Sequence, residues 1–95
     1  MQLHGDVMDA LASIRPLGSL RPGEGGRIVA LTVTGREPEL EERLLRMGFA
    51  EDARIQVRHE GPVGRDPMAV MVDGIIVALR RREAETIMIE VDTTP

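Results

Sequence analysis

The 95-residue chain has no cysteine, lysine, tryptophan or tyrosine, and Phe49 is its only aromatic residue. Without cysteine there is neither a disulfide framework nor a thiolate metal site. Without lysine there is no phosphate-binding loop of the Gly-x-x-x-x-Gly-Lys type. A single aromatic ring cannot build the stacking platforms that hold single-stranded nucleic acid or the grooves that read polyproline. The net charge of −4 argues against a nucleic-acid binder, which needs a basic surface to release counterions. No apolar run approaches the ~18 residues of a membrane-spanning helix, so direct membrane insertion is not expected. The N-terminus carries Asp6 and Asp9 and no basic leader, which sets a cytoplasmic location as the expectation.

What is present is β-rich patterning. Asp73-Gly74 is a two-residue turn between apolar runs, and a type I′ turn needs positive φ at both positions, which Asp and Gly tolerate. Closing a hairpin there sets Val72 opposite Ile75, Val70 opposite Val77 and Met68 opposite Leu79. All six side chains then share one face, since strand side chains alternate, and a core role is expected for them. The other face holds Ala69, Met71, Ile76 and Ala78, with Arg80 near its end.

Residues 38–47 read as a helix. Pro38 suits the first turn, Glu39, Glu41 and Glu42 suit the positive end of the dipole, and Leu40, Leu44 and Met47 form a stripe. Gly48 stands where a left-handed cap belongs. Glu39–Arg43 and Glu42–Arg46 are pairs four residues apart in the favourable order. Strands are expected at Arg27–Val33, at Ala53–His59 with Ile55, Val57 and His59 on one side, and at Ile87–Val91. Pro22 to Gly26 and residues 61–67 read as loops, and Arg81–Thr86 as one helical or 3₁₀ turn. Leu3, Val7, Leu11 and Ile14 have near-helical spacing, so residues 1–15 form either a short helical extension or a disordered one. The domain proper is then 16–95: five short strands and one helix between the first two, a mainly β chain that closes as a small barrel.

A catalytic site is hard to assemble. Two histidines and Ser13 and Ser19 are the main nucleophile and base candidates, and they do not cluster in sequence. An enzyme is not expected, nor a resident cofactor. Arg80-Arg81-Arg82 is the densest positive patch, diluted by Glu83 and Glu85, and reads as a solvated strand end before it reads as a contact for acidic groups. Met71, Ile76 and Leu45 exceed what a small core requires. Either the helix or the N-terminal extension covers them, or they meet a partner or a second copy of the chain, making Leu45, Met71, Ile76 and Arg80 the candidate partner-binding residues.

In order, Gly25-Gly26-Arg27-Ile28, Leu44-Leu45-Arg46-Met47-Gly48-Phe49, Gly64-Arg65-Asp66-Pro67-Met68 and Ile76-Val77-Ala78-Leu79-Arg80-Arg81-Arg82-Glu83-Ala84 resemble the FeoA family of ferrous iron transport proteins. The resemblance implies an SH3-like five-stranded barrel and a regulatory accessory role, by protein contact, with the membrane transporter FeoB. It carries over no catalytic residues. Because the family concerns iron, His59, Glu60 and Asp66 become candidate metal ligands, as do His4 with Asp6 or Asp9, although a strand-end polar rim is the plainer explanation of His59-Glu60. A role in transcription is the alternative, since related SH3-like domains end the DtxR-type metal-dependent repressors. Lacking DNA-binding helices, this chain would act there only by docking onto such a regulator.

Overall fold

The computed structural model describes residues 13–33 and 37–92. Six strands form one antiparallel sheet that curls into a barrel: β1 (Ile14–Pro16), β2 (Gly25–Leu31), β3 (Arg54–Val63), β4 (Asp66–Val72), β5 (Ile75–Leu79) and β6 (Ile87–Val91), in the spatial order β1-β6-β2-β3-β4-β5. A 3₁₀ turn (Leu17–Ser19) follows β1, helix α1 (Pro38–Arg46) links β2 to β3, and the one-turn helix α2 (Arg81–Ala84) links β5 to β6. The mainly β barrel with a helix between two early strands is as expected. One strand is added, because Ile14 pairs with Glu90 in β1 and does not continue a helical spacing. That strand straddles the expected boundary at 15/16. The helical pattern from Leu3 to Leu11, and His4, Asp6 and Asp9, lie outside the described residues.

The β4–β5 hairpin has the register its turn dictates, with Val72↔Ile75, Val70↔Val77 and Met68↔Leu79. Asp73 and Gly74 both take positive φ, 47° and 86°. Met68, Val70, Val72 and Leu79 are buried, Val77 is half-buried, and Ile75 is 65% exposed. The expectation of six core residues is therefore corrected at the tip, where the hairpin runs past the end of the barrel.

The other departures are local. Gly25 and Gly26 belong to β2 and not to a loop. A Cβ at Gly26 would run into the carbonyl oxygen of Glu90, and one at Gly25 into that of Ile55, so glycine is what lets β6 and β3 approach β2. Residues 61–67 form a second hairpin, with Val63 paired to Asp66 around Gly64 and Arg65, both at positive φ. The register of β3 shifts between Val57 and His59. This bulge ends the alternation, so His59 is exposed beside exposed Arg58 and does not continue the inner row of Ile55 and Val57.

Helix α1 ends as its sequence requires. Gly48 has φ 104°, its N–H donates to Leu45 O (3.0 Å), and the Phe49 N–H donates to Leu44 O (3.0 Å). This is the paired left-handed cap, and its apolar contact joins Leu44 and Phe49, both fully buried. The core gathers Leu17, Leu20, Ile28, Leu40, Leu44 and Phe49 with the inner residues of β3 to β6. Arg43 pairs with Glu83 of α2, and this ion pair joins the two helices.

Candidate functional site

The residues expected to gather at the strand end around Asp66 have a structural task. Arg81 is 15% exposed at its side chain, and is the first residue of α2. Its backbone N–H donates to Asp66 Oδ1 (2.8 Å), its Nε and Nη2 donate to Arg65 O (3.1 and 2.9 Å), and Nη2 also donates to Glu60 Oε1 (3.2 Å). Nη1 donates to Gly18 O in the 3₁₀ turn. One guanidinium thus joins the second hairpin turn, β3 and the turn after β1, which the planar fork of arginine suits and an ammonium does not. The reading of Arg81 as a solvated residue is corrected: it is a clamp, while Arg80 and Arg82 are exposed. Nothing in the local sequence marks it, because its partners lie 16, 21 and 63 positions away.

The clamp also accounts for the metal candidates. Glu60 and Asp66 both accept hydrogen bonds from Arg81, and His59 is exposed at the bulge. Among the described residues, no group of three or more histidine, aspartate or glutamate side chains converges as a metal site would. A second arginine, Arg27, lies between Glu90 (3.0 Å) and Asp52 (2.6 Å), and these hydrogen bonds hold its guanidinium above its ordinary pKa.

The surface that remains unassigned is apolar. Met71 and Ile76 are cross-strand partners on the outer face of the β4–β5 hairpin, where Ile76 is 55% exposed and Met71 is half-buried beside Arg58 (Nη1 to Sδ 3.9 Å). Ala78 and Arg80 follow on that face, both exposed. α1 buries Leu40 and Leu44 in the barrel core and leaves this outer face open, while Leu45 is 48% exposed on the solvent side of α1. A groove of about 450 Å³ separates Met47, at the end of α1, from Pro67, Ala78, Leu79 and Arg80. Among the described residues, no helix is long and apolar enough to cross a membrane.

A β-barrel of six antiparallel strands with one helix of more than two turns, closed by an interhelical ion pair and an arginine clamp, has the SH3-like fold. The FeoA domain family model matches residues 15–91, and this chain belongs to that family. The chain is similar to the iron(II) transport protein A of Clostridium thermocellum, with 36% identity over 81% of this chain and 44% of that one and a TM-score of 0.69. It is also similar to an iron uptake regulatory protein (FeoA), with 26% identity over 83% of this chain and 97% of that one and a TM-score of 0.70. A manganese-dependent transcriptional repressor has the same fold over 37% of its length (21% identity, 83% of this chain, TM-score 0.73). No curated protein sequence matches the chain.

Proposed function

We propose that this chain is a non-enzymatic cytoplasmic accessory protein of ferrous iron transport that regulates a FeoB-type membrane transporter by docking onto its cytosolic part. Membership in the FeoA family supports the iron-transport role. The observation that carries the docking mode is the open hairpin face, where Ile76 stands more than half exposed beside Met71 and in line with Arg80. Isolated exposed apolar residues are common, but a cross-strand apolar pair flanked by a cation on a rigid hairpin is a ready contact surface. Leu45, exposed on α1, offers a second and separate apolar point of contact. The chain works by contact, and Glu60 and Asp66 serve the Arg81 clamp.

The test is binding of the purified chain to the cytosolic part of the transporter. The wild type binds, and Ile76→Asp or Leu45→Asp weakens binding by roughly tenfold or more while leaving the melting temperature in place. Absence of binding by the wild type, or capture of a DtxR-type repressor in place of the transporter, overturns the proposal.

A further inference from the structure

β5 is an end strand of the sheet, and no described residue pairs with its outer edge. β1 and β5 end the sheet, but β1 is three residues long and ends in Pro16, which has no N–H to offer. β5 is five residues, Ile75-Ile76-Val77-Ala78-Leu79, with no charge, no proline and no bulge in its register. Its outward groups follow from the hairpin. A two-residue turn makes Val72–Ile75 a hydrogen-bonded pair, so Ile75, Val77 and Leu79 bond to β4, and the N–H and C=O of Ile76 and Ala78 point away. The Asp73 N–H bonding back to Arg54 O (3.2 Å) fits this alternation. No described residue bonds the outward groups of Ile76 and Ala78.

We propose that β5 pairs antiparallel with β5 of a second copy of this chain, about a two-fold axis at Val77. In that register Ile76 stands opposite the partner copy's Ala78, and the two exchange the N–H···O bonds that each strand leaves open. Val77 meets Val77, and Ile75 meets Leu79. Three observations favour a second copy over any other occupant. First, the strand is apolar on both faces, so the pairing sets no charge opposite an apolar group in either direction. Second, the ends are complementary: exposed Asp73 at each tip comes beside exposed Arg80 at the other strand's exit. Third, the tip residue Ile75, which the core leaves 65% exposed, is brought opposite Leu79, which lines the groove with Met47 and Pro67. Each copy therefore carries both the projecting side chain and the recess for it, as an isologous interface requires. The ladder stops at Arg80, whose N–H already donates to Glu83 Oε1 (3.1 Å).

This pairing is a property of the purified chain and does not rest on the transporter reading. Sedimentation of the full chain across roughly 10 µM to 1 mM shows a monomer–dimer equilibrium, as a small strand-edge interface gives. Ile76→Lys and, separately, Arg80→Asp weaken the dimer by about tenfold or more, with circular dichroism reporting an unchanged fold. Amide exchange supplies an internal control. The Ile76 and Ala78 amides become protected as concentration rises, while the Val77 amide, bonded to Val70, is protected throughout. A chain that stays monomeric to 1 mM, a dimer that Ile76→Lys leaves intact, or Ile76 and Ala78 amides that exchange alike at all concentrations overturns the proposal.

Discussion

Asp66 Oδ1 accepts the backbone N–H of Arg81 across 2.8 Å, joining the start of β4 to the first residue of α2. This bond gives two separate motifs a shared physical purpose. The Gly-Arg-Asp-Pro tract turns the second hairpin and presents a carboxylate. The Arg-Arg tract supplies the amide that it caps and the guanidinium that grips Arg65 O and Glu60. The Gly-Arg-Asp-Pro and Arg-Arg tracts thus have a structural task in holding β4 to α2.

Asp66→Ala removes the acceptor for a half-buried amide. The lost bond costs about 1–2 kcal/mol, which for a domain of this size lowers the melting temperature by roughly 4–8 °C per kcal/mol. Asp66→Asn keeps an acceptor oxygen and recovers most of the loss. Thermal melts by circular dichroism distinguish the two, and equal losses from both substitutions would count against a capping role.

Arg81→Lys behaves like a loss of function at this site despite keeping the charge. A point ammonium on a flexible stem cannot serve Gly18 O, Arg65 O and Glu60 together, as the five-donor fork does. We expect destabilisation of about 2 kcal/mol by urea titration, close to that of Arg81→Ala, with Arg82→Lys within about 0.5 kcal/mol of wild type.

These clamp partners show where sequence reading stops. The β4–β5 register and the end of α1 were legible because Asp73-Gly74 and Gly48 act on their immediate neighbours, through backbone conformation and periodicity. Arg81 was not legible, since its acceptors are assembled by the folded chain. Gly25 and Gly26 read as a loop because glycine usually breaks structure, yet here the missing Cβ is what permits strand pairing. β1 was missed for want of length, as three residues ending in proline show no period. Ile75 belongs to the apolar row, but only the barrel's extent decides that the row outruns the core. Of the candidate partner-binding set, the pairing of Met71 with Ile76 followed from register. The exposure of Leu45 followed from its place beside the Leu40, Leu44 and Met47 stripe of the helix.

Gly26→Ala separates steric from conformational need. The new methyl would meet the Glu90 carbonyl, which belongs to a backbone held in the β2–β6 ladder and has no room to give. Gly74→Ala has open space around it and is strained only by φ 86°. The hairpin-tip substitution costs about 1 kcal/mol, and the strand substitution costs about 2–3 kcal/mol or prevents soluble expression. Urea denaturation of the two variants reads this order directly, and a milder Gly26→Ala would mean that β6 can shift away from β2.

Phe49 tests how far the core depends on its single ring. It is fully buried, it follows the glycine that ends α1, and its N–H closes the helix cap onto Leu44 O. Removing the ring opens a cavity beside Leu44 and frees the turn that leads into β3, at a cost of about 3–5 kcal/mol. Small domains hold only about 5–15 kcal/mol in total, so Phe49→Ala leaves a large part of that stability gone. Phe49→Leu refills most of the volume and retains the backbone cap, and should lose less than half as much. Because Gly48 fixes the helix end independently of the ring, Gly48→Ala combined with Phe49→Leu should add nearly independently if only packing and φ strain are at work. A strong coupling between them, measured in a double-mutant cycle, would show instead that the ring and the cap form one unit.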